Sequence, residues 1–271
     1  MKKTKRRVAT ALIWSLIALI AVSAGTYAWF TFNPYTNVTE MTGVVWGGEG
    51  DLLIANKREG PYGVYTELIL SEEKPVLYPV STSNLNNFFT QGKQTSGGVV
   101  TGFSLANDGL YKKCVHGFVY LKSETNAHDI YFDKSGLYFG KDIQSLAAMR
   151  LGLQISTPRG IYTHIFKLDD MADVSSALSR LTVAQKDTVV AQANDNGSVT
   201  FSPDPAKNIN DYCAGRSGED TTRGRAALCR LGAGEIATVE YFLYLEGCDE
   251  NCYNPVQNRD LALSLAFSGV N

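Results

Sequence analysis

Apolar residues recur at every second position in several stretches of this chain. The pattern runs through residues 238–246, 261–268 and 149–156, and residues 161–168 follow the last of these across the turn sequence Thr-Pro-Arg-Gly. A period of two is typical of a strand with one buried face. Residues 114–122 are apolar on both alternating faces, which predicts a central strand covered twice. With no glycine-rich nucleotide motif or strand–helix rhythm, the pattern predicts a mainly β fold, a jelly-roll-like antiparallel β-sandwich with short helices.

Shorter patterns predict local structure. Two apolar runs, residues 44–46 and 52–54, flank a glycine-rich stretch, as in a β-hairpin. Residues 83–89 are predicted to form one or two helical turns with Ser83 as the N-cap. Residues 173–181 have apolar side chains at helical spacing and predict an amphipathic helix.

A different pattern occupies the start of the chain. Five basic residues precede an uncharged segment, residues 8–32, and no acidic residue occurs before Glu40. A basic start, an apolar stretch and small residues leading to Ala28 are typical of an export signal. The segment is also long enough to cross a bilayer as a hydrophobic helix, which needs about 20 apolar residues. We therefore expect either cleavage between Ala28 and Trp29 or a retained membrane anchor.

This pattern divides the chain into two parts. Residues 1–28 form a signal peptide or membrane anchor, and residues 29–271 form a single β-sandwich domain. A polar stretch rich in Asp, Pro, Gly and Asn predicts a loop excursion from the sheets at about 202–230. Without residues 1–28 the chain has 20 Lys and Arg against 27 Asp and Glu, a net charge of −7. This balance suits an exported surface protein and argues against a nucleic-acid partner, which needs a basic face.

All five cysteines lie beyond the apolar segment, so export would place them where disulfides persist. Cys248 and Cys252, between the last two predicted strands, are candidates for a small disulfide worth about 2 kcal/mol. A redox site would favour Cys-x-x-Cys at a helix N-terminus, and a zinc site needs two further ligands. Cys213 and Cys229 could close the polar excursion, worth about 3 kcal/mol. Cys114 then remains as a buried thiol.

The sequence contains no motif that indicates catalysis. Gly-x-Ser-x-Gly, His-Glu-x-x-His and a phosphate loop are all missing from the chain. His116, His128 and His164 could meet on adjacent strands as a metal site, but their spacing does not require it. We therefore expect a protein that is not an enzyme and that uses no cofactor or metal.

Two stretches carry a resemblance to a known group. Residues 25–31, Gly-Thr-Tyr-Ala-Trp-Phe-Thr, resemble the signal-peptide end of exported Gram-positive proteins processed by SipW-type signal peptidases. Residues 231–249 resemble the closing strands of the TasA/camelysin group of surface and biofilm-matrix proteins. The resemblance implies cleavage after Ala28, a jelly-roll sandwich and a matrix or fibre subunit that lends its N-terminal strand to a neighbour. Five cysteines and a long middle region depart from a simple TasA-like chain.

The residues themselves favour such an assembly. Trp29, Phe30 and Phe32 form an apolar strand that would gain hydrogen bonds and bury its aromatic rings on the sheet edge of another subunit. We therefore expect an exported cell-surface or extracellular-matrix structural protein that associates with itself or with other matrix proteins. It would contact the membrane through residues 8–32 at least before processing. The alternative is a surface binding module or adhesin held by that segment as a type II anchor, with its basic start in the cytoplasm.

Overall fold

The computed structural model describes residues 38–46, 51–69, 77–91, 103–106, 113–139, 143–168, 189–193, 199–214, 222, 224–249, 252 and 261–271. All belong to the compact unit Tyr35–Asn271. The predicted N-terminal apolar segment and the helix predicted at 173–181 lie outside the described residues. Strands predominate in the described part, which confirms the mainly β prediction.

The described strands, in chain order, are β1 (Val38–Trp46), β2 (Leu52–Ala55), β3 (Tyr65–Glu67), β4 (Pro79–Val80), β5 (Phe89–Gln91), β6 (Phe103–Leu105), β7 (Val115–Ser123), β8 (His128–Asp133), β9 (Met149–Thr157), β10 (Gly160–Lys167), β11 (Val189–Ala193), β12 (Val199–Pro203), β13 (Lys207–Asn208), β14 (Cys213–Ala214), β15 (Cys229–Leu231), β16 (Ile236–Glu246) and β17 (Leu261–Val270). A short helix, α1 (Ile143–Ala148), precedes β9, and a 3-10 helix spans Ile209–Tyr212.

The first sheet has the order β14-β8-β17-β1-β3, and β15 also pairs with β8. β1 and β17 run parallel, with Val45 opposite Phe267. β8 runs antiparallel to β17, with Phe132 opposite Phe267. The first and last described strands are therefore neighbours inside one sheet.

The second sheet has the order β13-β10-β9-β16-β7-β2, and β4 pairs with the end of β16. β7 lies between β16 and β2, as expected of a central strand. The prediction that both of its faces are covered is wrong, because burial alternates along the strand and Phe118 is exposed. β9 and β10 form the predicted hairpin, with Gly160 opposite Thr157. Two small sheets, β5 with β6 and β11 with β12, complete the described pairings.

The two large sheets face one another across the core. The rings of Phe132 in the first sheet and Phe166 in the second lie 5.3 Å apart, centroid to centroid, and edge-on. The sheets also approach at Gly43, where an added Cβ would lie 3.0 Å from Ile54 Cδ1. Gly269 is similar, since its Cβ would lie 3.3 Å from Leu52 Cδ2. The coarse prediction of a β-rich, sandwich-like fold is therefore confirmed.

The hairpin predicted at 44–54 is wrong. β1 lies in the first sheet, beside β17 and β3, whereas β2 lies in the second sheet beside β7. Leu52 and Ile54 are both fully buried. The two runs are neighbours in sequence, but each forms its hydrogen bonds with a distant strand.

The helix predicted at 83–89 is also wrong. Thr82 Oγ1 accepts a hydrogen bond from the Leu85 amide at 3.0 Å, and Asn84 Oδ1 accepts one from the Asn86 amide at 2.9 Å. Such side-chain bonds compete with helical backbone bonds, and Leu85 takes a φ of 61°. The predicted inward residues are nevertheless buried: Leu85 covers Gly152, and Phe88 packs against aromatic side chains of β16.

The predicted excursion at about 202–230 contains short strands of both large sheets. β13 pairs with β10 of the second sheet. β14 and β15 pair with β8 of the first sheet. Although this stretch is polar in composition, three of its short segments therefore form strands of the two large sheets.

Candidate functional site

The first half of β10 is a sheet edge. β13 pairs with β10 only at Phe166 and Lys167, so residues 160–165 have a described strand partner on the β9 side alone. Ile161, at this edge, is 68 % exposed. We call residues 160–165 the open edge. Unpaired backbone groups beside an exposed apolar side chain form a template for a strand of another chain.

A second unpaired stretch lies at the start of β1. β17 covers one side of this strand from Val38 onward, whereas β3 covers the other side only at Thr42–Val44. Among the described strands, residues 38–41 therefore have a partner on one side. This stretch is the closest acceptor, along the chain, for any strand formed by the residues before it.

The structure describes candidate acceptors for an assembly strand, and the predicted donor lies outside the described residues. Trp29, Phe30 and Phe32, which form that donor, are not among the described residues, and neither is the cleavage position between Ala28 and Trp29. The donor and the cleavage site therefore remain predictions.

The fold brings Cys213 and Cys229 to one side of β8. Cys213 lies opposite Phe132, and Cys229 lies opposite Ile130, two positions away on the same strand. Two strand residues span about 6.6 Å, which is near the upper end of the Cα separations seen in disulfides, about 6.8 Å. Burial raises the pKa of both thiols, to about 11 and about 12 respectively. The structure carries all five cysteines as free thiols, so the Cys213–Cys229 disulfide remains a prediction.

Cys248 and Cys252 lie in the turn that follows β16. The Asp249 amide donates to the Glu246 carbonyl at 3.1 Å, and the Cys252 amide donates to the Asp249 carbonyl at 2.8 Å. Both bonds follow directly after the end of β16. Both cysteines are half-buried, whereas Cys114 is fully buried. Their predicted disulfide also remains a prediction.

A buried charge cluster lies beside this turn. Arg150 Nη2 donates to Asp204 Oδ2 at 2.9 Å and to Asp249 Oδ2 at 2.7 Å. Its Nη1 donates to the carbonyls of Ala147 and Met149. Burial alone would lower the pKa of Arg150, but the two aspartates outweigh burial and raise it. The arginine therefore stays charged inside the protein.

Sequence reasoning missed this cluster. Arg150 occupies a polar position of an alternating strand, which predicts a solvent-facing side chain, yet it is 1 % exposed. Glu246 occupies the equivalent kind of position on β16 and is also fully buried. The aspartates that bind Arg150 lie 54 and 99 residues away in the chain, so the local pattern carried no signal of its burial.

A second polar cluster joins the two sheets at the β7–β8 connection. Asp51, just before β2, accepts hydrogen bonds from the Thr125 hydroxyl and amide at 2.6 and 2.7 Å and from the Asn126 amide at 2.8 Å. It also contacts His128 Nε2 of β8 at 2.8 Å. The Thr125 hydroxyl, then His128 and the two amides, hold the pKa of Asp51 well below its usual range, against the effect of burial. This carboxylate fixes the turn that passes from the second sheet to the first.

The three histidines have separate partners. His116 Nε2 lies 2.8 Å from Glu240 Oε1, and His164 Nε2 lies 2.8 Å from the Leu228 carbonyl. Burial lowers the pKa of His164. His128 pairs with Asp51, as above. In the part of the chain that the structure describes, no group of three or more His, Cys, Asp or Glu side chains is arranged to hold a metal ion.

Within the described part of the chain, no helix has the length and apolar character needed to cross a bilayer. Comparison with known proteins adds no relative: no family model, no curated protein and no solved structure matches this chain.

Proposed function

We propose that this chain is an exported cell-surface or extracellular-matrix structural protein and that it forms fibres by donating residues 29–32 to the open edge of a neighbouring subunit. The observation that carries this proposal is the open edge itself. An edge strand with an exposed isoleucine is an aggregation hazard when it is left uncovered. An apolar donor strand from the same kind of chain would cover it and gain main-chain hydrogen bonds.

Four further features support the proposal. The signal-like segment before Ala28 favours export, and the net charge of −7 beyond it suits a surface protein. The resemblance to the TasA/camelysin group adds a jelly-roll topology, which we propose as the finer description of the sandwich. The absence of a catalytic motif in the sequence favours a structural role over an enzymatic one.

A membrane-anchored surface binding module is the second candidate. It is favoured by the length of the uncharged segment, residues 8–32, which is sufficient for a membrane-spanning helix that would precede the sandwich. In that case residues 29–32 would belong to the anchor and would not be free to pair with a neighbour.

N-terminal sequencing and intact-mass measurement of the native protein distinguish the two candidates. The matrix proposal expects a protein in the medium that starts at Trp29. The anchor proposal expects a chain that starts at Met1 and is found only in membranes.

Assembly is tested by sedimentation of the processed protein. Ile161→Lys places a charge on the open edge and should strongly reduce polymer formation, because a charged edge strand resists pairing. Phe201→Lys is the matched control, since Phe201 is 53 % exposed on β12, outside the open edge. Equal polymerisation of the two variants would contradict the role of the open edge. A processed wild-type protein that stays monomeric at high concentration would contradict the fibre proposal as a whole.

A further inference from the structure

The open edge contains one buried histidine. His164 lies within residues 160–165 and is 8 % exposed. Its Nε2 lies 2.8 Å from the carbonyl oxygen of Leu228. A carbonyl oxygen can only accept a hydrogen bond, so Nε2 carries the ring proton. Nδ1 is buried as well and has no hydrogen-bond partner among the described residues. The contacts therefore fit the neutral imidazole with its single proton on Nε2.

Aromatic rings surround this imidazole. Phe166, two positions along β10, stacks on it, with ring centroids 5.7 Å apart and an interplanar angle of 16°. The ring of Tyr212 meets it edge-on at 5.3 Å and also packs against Phe166 at 5.0 Å. A second proton, on Nδ1, would therefore find neither water nor an oxygen acceptor, and a buried N–H without a partner is destabilising.

The charged group beside the imidazole is a cation. Lys207 of β13 donates to the Tyr212 hydroxyl at 2.9 Å, and its Nζ lies 5.3 Å from the centre of the Tyr212 ring. Within the described residues, His164 forms no ion pair with a carboxylate, unlike His116 and His128. A positive charge on His164 would therefore meet a second positive charge without a negative one to compensate it.

The remaining titratable neighbours bear hydroxyl or thiol groups. Tyr162 lies two positions away on the same face of β10, and Cys229 directly follows Leu228. Burial raises the pKa of the Cys229 thiol to about 12. Burial and then Lys207 lower the pKa of His164 below its ordinary value of 6.5, against the hydrogen bond to Leu228, which raises it. This direction agrees with the contacts.

The His164–Leu228 contact joins the two large sheets. The Leu228 carbonyl accepts the hydrogen bond from the second sheet, while the Leu228 amide donates to the Ile130 carbonyl of β8, in the first sheet, at 2.7 Å. Leu228 is fully buried, and β15 begins at the next residue and pairs with β8. The histidine therefore ties the open edge to the opposite sheet.

The open edge is also the part of β10 that can move most easily. Residues 160–165 have a described strand partner on the β9 side alone, whereas Phe166 and Lys167 are also held by β13. Segments with fewer backbone partners open locally before the rest of a fold. An imidazolium at position 164 reaches water only when its side chain leaves this site, and that movement displaces the edge strand.

We propose that His164 is an acid-sensitive switch of the open edge: the neutral imidazole holds residues 160–165 against Leu228, and protonation releases them and removes the acceptor for the donor strand. The regulation of assembly rests on the proposed function, because it concerns the same edge. The folded state favours the neutral ring, so its stabilising effect is complete above the pKa of a released histidine, about 6.5. The effect decreases as the pH falls through that value towards the lower pKa of the folded state.

Backbone hydrogen–deuterium exchange tests the switch without requiring assembly. The full-length protein in detergent is compared at pH 7.5 and pH 5, and each rate is divided by that of an unfolded peptide at the same pH. With a pKa of about 6.5 in the released state, protonation favours opening at pH 5 by up to about 30-fold. Protection of residues 160–165 should fall by up to that factor, whereas protection of β17 should not change.

His164→Gln keeps an N–H donor for Leu228 but cannot be protonated in this range, so its protection at residues 160–165 should be equal at the two pH values. His116→Gln is the matched control: His116 lies on β7 of the same sheet and pairs with Glu240, so this variant should keep the wild-type response. The inference is overturned if wild-type protection does not change, or if His164→Gln loses as much protection as the wild type.

Should His164→Gln fail to fold, the titration of the wild type decides. Deuterium exchange at the imidazole C2 carbon, followed by peptide mass spectrometry, gives the pKa of each histidine. A value below 6.5 for His164 is expected, and a value at or above it overturns the inference.

Sedimentation of the processed protein separates the switch from the proposed function. The wild type should form polymers at pH 7.5 and release them at pH 5, whereas His164→Gln should form them at both. Wild-type polymers that persist at pH 5 overturn the regulation. A protein that forms no polymers at either pH refutes the proposed function alone, and the exchange measurement then decides the switch.

Discussion

Replacing Arg150 with methionine tests whether the buried charge cluster holds the end of the sandwich together. The guanidinium binds Asp204 and Asp249 and also caps the carbonyls of Ala147 and Met149. The side chains of the arginine and the two aspartates are 1 %, 3 % and 6 % exposed. Water is therefore largely excluded from all three, and the substitution leaves two carboxylates without their main cation.

Removing one partner of a buried ion pair costs about 3–5 kcal/mol. For a domain of this size, each kcal/mol lowers the melting temperature by about 2–4 °C, so Arg150→Met should melt about 6–20 °C below the wild type. Lys167 offers little compensation, because it is partly exposed and its Nζ lies 4.0 Å from Asp204. Adding Asp204→Asn and Asp249→Asn should restore much of the loss, since no uncompensated charge then remains.

Thermal unfolding followed by near-UV circular dichroism measures these differences, with Arg230→Met as the control. Arg230 pairs with Asp129 at 3.3 Å, but the two side chains are 56 % and 36 % exposed, and such surface pairs contribute about 0–1 kcal/mol. The reasoning is refuted if the Arg150 and Arg230 variants melt at the same temperature. It is also refuted if the triple variant is less stable than Arg150→Met alone.

Three further predictions concern titration and the cysteines. The pKa of Asp51 is lowered in the folded state, so its carboxylate stabilises the fold at neutral pH; Asp51→Asn should lower the melting temperature at pH 7, and this difference should shrink below about pH 4. The pKa of Glu246 is raised from 4.5 to about 8, so wild-type stability should fall as pH rises between these values, whereas urea titrations of Glu246→Gln should lack this slope. Mild oxidation should link Cys213 to Cys229, visible by peptide mapping, and raise stability by about 3 kcal/mol; Cys213→Ala should abolish both changes, and an unlinked pair would contradict the inferred register.

Local periodicity predicted the strands that have an ordinary half-buried pattern. Residues 238–246 and 261–268 lie within β16 and β17, and the 149–168 region forms the β9–β10 hairpin. The period of two located these strands, and the turn between β9 and β10 is short, so neighbouring residues carry the necessary information. The period did not show that residues 241–246 of β16 are buried on both faces. β11 and β12, which follow one another among the described strands, also pair antiparallel.

Pairing between distant strands left no local signal. β1 lies beside β17, where Val45 faces Phe267 across more than two hundred residues of chain. The glycine-rich stretch between β1 and β2 suggests a tight hairpin, but β1 pairs with β17 and β2 pairs with β7 in the other large sheet. The burial of Arg150 and Glu246 could not be predicted for the same reason, since it depends on contacts with residues that are distant in sequence.

The geometry of the sandwich bears on which polymer the proposed assembly would give. Five residues separate the predicted donor, residues 29–32, from the start of β1, and five extended residues reach at most about 18 Å. That reach is enough for the donor to fold back on residues 38–41 of its own β1, which is the competing intramolecular pairing. The open edge lies in the other large sheet, so the donor's point of attachment and the acceptor are different surfaces of one subunit. A contact between different surfaces is heterologous and builds open filaments when its rotation does not close a ring. Filaments would therefore support pairing of residues 29–32 with the open edge of a neighbour. Monomers in which residues 29–32 are shielded from solvent would support pairing with β1 of the same chain.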